Sequence, residues 1–178
     1  NPNSEVILLE KSTKLLAKVK VSGGGRCNVT HACFDRKTLL KSYPRGQKVL
    51  RQALAEWMPQ DTVAWFESRG VPIKTEADGR MFPVSDSSQS IIDCLMKTAQ
   101  ELGIEIRTQT EVIQLTRTER GSFLLNIKNK ATEEGDYVIV TTGGSPKLKG
   151  LDWLSPLGLD LVPPVPSLFT FNLPEEDI

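Results

Sequence analysis

Very little in this chain speaks for a secreted or membrane-bound protein. Three cysteines, Cys27, Cys33 and Cys94, are too few and odd in number for a disulfide framework. No apolar run approaches the ~20 residues that cross a bilayer. The start, Asn1-Pro2-Asn3-Ser4-Glu5, lacks the basic and then apolar pattern of a signal peptide. These absences point to a reducing cytoplasm. Net charge is also missing, since 22 Lys and Arg balance 22 Asp and Glu. A neutral total carries no overall positive field, so a nucleic-acid partner is not expected from it. His31 is the only histidine. With Cys27 and Cys33 it matches no common metal-ligand spacing, and no metal is expected.

What is present reads as an α/β chain. Glu5 to Glu10 is a short apolar run ending in an acid, the form of a strand buried on both faces. Residues 37–70 carry apolar positions at helical spacing, broken by Pro44-Arg45-Gly46 and Met58-Pro59 into two or three short helices. Extended segments are expected at 71–74 and 81–84, around a turn at Asp78-Gly79-Arg80. Residues 87–102 form an amphipathic helix stopped by Gly103, and Ile104-Glu105-Ile106 is a strand. A meander follows, with strands at 111–116, 122–128 and 136–141. Strands 5–10, 104–106 and 137–141 are expected to share a mainly parallel sheet. Residues 1–162 read as one domain. The proline-rich 163–178 stretch reads as a connection toward a second one.

Two features carry chemistry. Glu10 stands where dinucleotide folds place an acid that accepts from the ribose hydroxyls; it also reads as an ordinary exposed acid. Only nine residues precede it, so the Gly-x-Gly-x-x-Gly turn due about 20 residues earlier is absent from this sequence. Ser22-Gly23-Gly24-Gly25-Arg26-Cys27-Asn28 is the second feature. Adjacent glycines let the backbone approach a ligand and present N–H groups to an anion. Arg26 adds a fixed planar charge and Asn28 a donor and acceptor. The same residues also read as a plain glycine loop with a surface arginine. Cys27 reads either as a redox thiol with a lowered pKa or as a buried inert one.

Ser22 to Thr30 resembles the signature of the YhiN-like flavoproteins, often called NAD(FAD)-utilizing dehydrogenases. Leu8-Leu9-Glu10-Lys11 resembles that bacterial family's second strand. Thr75-Glu76 with Asp78 to Ser85, and Val140 to Ser145, resemble two further family stretches. The resemblance implies a partial FAD-binding domain of the glutathione-reductase type, with a parallel sheet plus an antiparallel meander. It implies FAD, with NAD(P)H as a reductant, and a flavin-dependent oxidoreductase. Glu10 and Lys11 would sit at the adenosine ribose, and Ser22 to Asn28 along the pyrophosphate and flavin edge. Val112 would offer its backbone to the adenine, and Thr142-Gly143-Gly144 theirs to the flavin phosphates or ribityl chain. No catalytic acid or base stands out. Family members begin with the glycine turn and continue into a second domain, so this chain is expected to be a piece that holds FAD weakly alone. A structural remnant and a nucleotide- or RNA-binding module are the alternatives.

Overall fold

The computed structural model describes residues 4–145 and 148–163. The chain divides into two compact units. One comprises the chain up to Leu8 with Lys14–Ile106, and the other Leu9–Thr13 with the chain from Arg107 onward. Among the described residues the architecture is α/β, with one parallel pair and two antiparallel sheets.

The parallel pair is β1 (Ile7–Leu9) with β5 (Glu105–Arg107). In the first unit the Glu105 N–H donates to the Val6 carbonyl, and in the second the Glu10 N–H donates to the Arg107 carbonyl, both at 3.0 Å. Both strands ascend together, which is the parallel pattern. The 137–141 run does not join them. It is not a strand, and Tyr137 and Ile139 are 91% and 86% exposed. An apolar run becomes a central strand only where a neighbour pairs its backbone, and no described strand pairs this one.

The first unit continues through α1 (Ala17–Val21), a 3-10 turn at Ser22–Gly25, β2 (Thr30–His31) and three short helices. These are α2 (Arg36–Lys41), α3 (Gln47–Glu56) and α4 (Pro59–Glu67), and they part at the two expected breaks. Pro59 opens α4, where its missing N–H costs nothing, and Asp61 accepts from the Met58 N–H at 2.7 Å. Next come β3 (Ile73–Thr75), β4 (Arg80–Pro83) and α5 (Ser88–Glu101). Strand β4 lies between β2 and β3, antiparallel to both. That central place explains why Met81, Phe82 and Pro83 are buried in succession. Ser87 caps α5 by accepting from the Gln89 N–H, and Gly103 ends it at φ 66°. Ile91 and Cys94 on its inner face pack with Cys27, Phe66 and Val71 as the core of this unit.

The second unit holds the meander β6 (Val112–Arg117), β7 (Phe123–Ile127) and β8 (Glu133–Gly135). Its first two strands fall where the sequence places them. The third is 133–135 rather than 136–141, because a tight turn after Ile127 brings the chain back at once: the Lys130 N–H donates to the Ile127 carbonyl, and Asn129 takes φ 57°. Leu115 and Ile127 are buried there. A 3-10 stretch, Leu148–Leu157, lies against β6. The expected connection through Pro164, Pro166 and Pro174 lies outside the described residues. No helix among the described residues is long and apolar enough to cross a membrane.

Candidate functional site

The glycine loop is built by its backbone. Gly23, Gly24 and Gly25 take φ of 55°, 67° and 85°, and Cys27 takes 64°. Four positive φ values in five residues reverse the chain within one turn, which side chains at the first three would oppose. The Cys27 N–H donates to the Ser22 carbonyl at 3.0 Å, and the Ser22 hydroxyl donates to the Val19 carbonyl at 2.9 Å. The three glycines do different work. A Cβ on Gly23 would stand 2.8 Å from both the Asn28 nitrogen and a Phe82 ring carbon, whereas a Cβ on Gly24 would meet nothing within 4 Å. Gly23 therefore serves packing, and Gly24 leaves backbone open to approach.

Arg26, Cys27 and Asn28 each face the protein. The Arg26 guanidinium donates to Glu76 at 2.5 Å, lies 3.6 Å from Asp86, and stacks 4.0 Å above the Phe82 ring. The hydrogen bond to Glu76 raises its pKa above the ordinary arginine value. Asp86 also pairs with Lys74, and that bond, with the nearby Arg26 charge, lowers its carboxyl pKa. Arg80 completes the group, reaching Glu76 at 3.5 Å and Asp78 at 2.7 Å, with Phe82 beneath it at 5.5 Å. The Arg80 backbone N–H lowers the Asp78 pKa. Cys27 is buried in the core with its thiol unbridged. The Asn28 amide sits against β2 and β4, its nitrogen 2.8 Å from the Thr30 carbonyl and 3.2 Å from that of Met81 when turned to donate to both. His31 packs on the 78–80 turn, where a Cβ on Gly79 would stand 2.6 Å from the imidazole ring.

The loop is thus joined to the 75–86 stretch, whose partnership with it sequence reasoning missed. Glu76, Phe82 and Asp86 carry that junction. The available signal was the pairing of one conspicuous cation with acids on either side of a buried aromatic, 50 residues later.

The remaining predicted residues lie in the second unit. Glu10 is half-buried; its carboxylate accepts from the Ser12 N–H at 2.7 Å, and its carbonyl accepts from the Thr110 N–H at 2.9 Å. Lys11 is exposed. Val112 begins β6 opposite Ile127. Thr142, Gly143 and Gly144 are exposed in irregular backbone, and a Cβ on Gly144 would meet nothing within 4 Å. Gly24 in the first unit and Gly144 in the second are thus open to approach, as are Gly46, Gly70, Gly103 and Gly158. Such backbone can hydrogen-bond a phosphate or a ring edge, but it supplies no acid or base.

A sequence model of the HI0933-like protein Rossmann domain matches residues 1–157. The chain is 29% identical over 139 residues to the ribosomal RNA dihydrouridine synthase of Escherichia coli, covering 78% of this chain and 33% of that protein. It is 26% identical over 181 residues to the Haemophilus influenzae protein of the same name, covering 97% and 44%. It is also 24% identical over 171 residues to the 3-dehydro-bile acid delta(4,6)-reductase of Clostridium scindens, covering 93% and 41%. The chain spans less than half the length of each of these relatives.

Proposed function

Because this chain belongs to the HI0933-like family of flavoprotein Rossmann domains, we propose that it is the FAD-binding portion of a reductase that saturates a carbon–carbon double bond. The observation that carries the reading is the open backbone at Gly24, left bare by a loop whose neighbouring residues are tied inward. The names of the relatives support the reaction class. A dihydrouridine differs from a uridine by two hydrogens across a ring double bond, and a delta(4,6)-reductase is named for the same kind of change on a steroid.

In this reading Glu10 accepts from the adenosine ribose and Val112 offers backbone to the adenine. Gly24, Gly25 and Thr142 to Gly144 approach the flavin and its phosphates through backbone. When bound, the flavin carries the two-electron chemistry, with a nicotinamide as the electron source. Arg26 acts as scaffold here: it fixes the loop against Glu76, Asp86 and Phe82, so the glycine backbone is presented in one shape.

The test is a chimera in which this chain replaces the matching segment of the E. coli relative. Flavin retained on purification, with dihydrouridine formed in ribosomal RNA, is the expected result. Retained flavin without that product would remove the substrate reaction and keep the cofactor. A folded chimera without flavin would remove the reading altogether. Alone, the chain should bind FAD ~10³-fold more weakly than the chimera, since it covers 33% of the E. coli relative and the rest of that protein can add contacts to the cofactor. Comparable affinity in a fluorescence titration would overturn that.

A further inference from the structure

The zero net charge conceals a strong segregation. From Asp35 to Glu56 the sequence carries Arg36, Lys37, Lys41, Arg45, Lys48 and Arg51 against Asp35 and Glu56. Asp35 is spent on the fold: it caps α2 by accepting from the Thr38 N–H at 2.7 Å, which also lowers its pKa. All six cations are exposed, and none is in an ion pair with a described residue. Arg26, Lys74, Arg80 and Arg107 elsewhere are all paired. The six are therefore not consumed in holding the molecule together.

Aromatic residues bracket and divide this run: Phe34 precedes it, Tyr43 lies within it and Trp57 follows it. Phe34, Tyr43 and Trp57 are 52%, 42% and 50% exposed. Tyr43 and Trp57 line one cavity of about 340 Å³ with His31, Leu54 and Thr62. The Trp57 indole N–H donates to the Thr62 hydroxyl at 2.8 Å, which fixes the ring in place. Helix α3 buries none of its residues.

We propose that the α2–α3 hairpin is a docking face for single-stranded RNA. The backbone phosphates lie along the six cations, and an unstacked base packs on Tyr43 or Trp57 at the cavity. A chain of phosphates matches a segment of exposed, unpaired cations, and releasing its counterions drives the association. Ring faces standing among those cations are what a splayed base uses and what an acidic protein surface does not need. The inference deepens the reductase reading by assigning the surface on which an RNA substrate would dock. It rests on that reading for the chemistry but not for the binding.

The test is fluorescence anisotropy of a short labelled uridine-rich RNA with the chain as it stands, between about 50 and 200 mM salt. Affinity should fall linearly on a log–log plot. A Lys41→Ala/Lys48→Ala/Arg51→Ala variant should bind at least ~10-fold more weakly, with the salt slope reduced by about 2. Trp57→Ala should weaken binding by ~5-fold or more, and Tyr43→Ser repeats that arm should the Trp57 variant lose its fold by circular dichroism. Absence of RNA binding, or a triple variant that binds like the parent, would overturn the proposal. So would polyglutamate or anionic vesicles bound as tightly as the RNA, which would assign the face to an acidic protein or a membrane. Loss of RNA binding with flavin retained in the chimera would remove this inference alone; the converse would remove the reductase reading alone.

Discussion

Two glycine-bearing stretches behave differently although they look alike on paper. Ser22 to Asn28 is locked: Arg26 is in an ion-pair group, Cys27 in the core, and Asn28 against two strands. Asp136 to Gly144 contains the more apolar sequence, yet Tyr137 and Ile139 stand exposed and the backbone is irregular. Hydrophobicity alone does not make a segment a strand. The first stretch has its partners within its own unit, at Glu76, Phe82 and Asp86. The second finds no strand to pair with among the described residues.

The comparison breaks most readily at Phe82. That ring is fully buried, touches the glycine loop and lies beneath Arg26. Phe82→Ala should cost about 3–5 kcal/mol in chemical denaturation. A loss under about 1 kcal/mol would mean that the loop does not depend on the strand.

Gly23 and Gly24 sharpen it next. Both have positive φ, but only Gly23 is crowded, so Gly23→Ala should cost about 2–4 kcal/mol and Gly24→Ala about 1–2 kcal/mol. Equal losses would remove the division between a packing glycine and an open one.

Acid probes the ion-pair group. The Asp86 and Asp78 carboxyls have folded pKa values below the ordinary 3.8. Their contribution is therefore complete above that value and is lost as pH falls through the lower, folded one. The melting temperature should drop more steeply below about pH 4 in the parent than in Asp86→Asn. Parallel curves would show that the Asp86 pairing adds nothing. Arg26→Lys, at neutral pH, should lower the melting temperature by a few degrees, because lysine keeps the charge near Glu76 and loses the flat stack on Phe82.

The smallest effect belongs to the other stretch. Ile139→Ser should change stability by no more than about 0.5 kcal/mol, as for an exposed site. A larger loss would show that Ile139 is packed in solution.

Local rules were enough for much of this fold. Prolines and glycines placed the breaks between α2, α3 and α4, and the apolar stripe of α5 and the first two meander strands followed from periodicity. What escaped depended on long-range partners. The 137–141 run has strand composition, but composition cannot supply a neighbour. β8 formed instead from Glu133–Gly135, a segment with no apolar signal, because a turn at Asn129 delivered it to β7. At the candidate site the loop was legible as a special backbone. The destination of Arg26 was not, since Glu76 and Asp86 lie 50 and 60 residues away and are matched to it only by folding. The total charge hid the basic hairpin for a similar reason: a sum discards position.

The absence of buried residues in α3 has a consequence for its motion. A helix of ten residues is below the ~12–15 at which isolated helices persist in water, so α3 lasts only while its neighbours hold it. Its amides should exchange with solvent through small local openings, while those of α5, anchored by Ile91 and Cys94, wait for rarer and larger ones. Lys48 and Arg51, two of the unpaired cations, then stand on a helix the molecule can reshape at little cost. A bound polyanion would slow exchange there before it changed anything measurable in the rest of the chain.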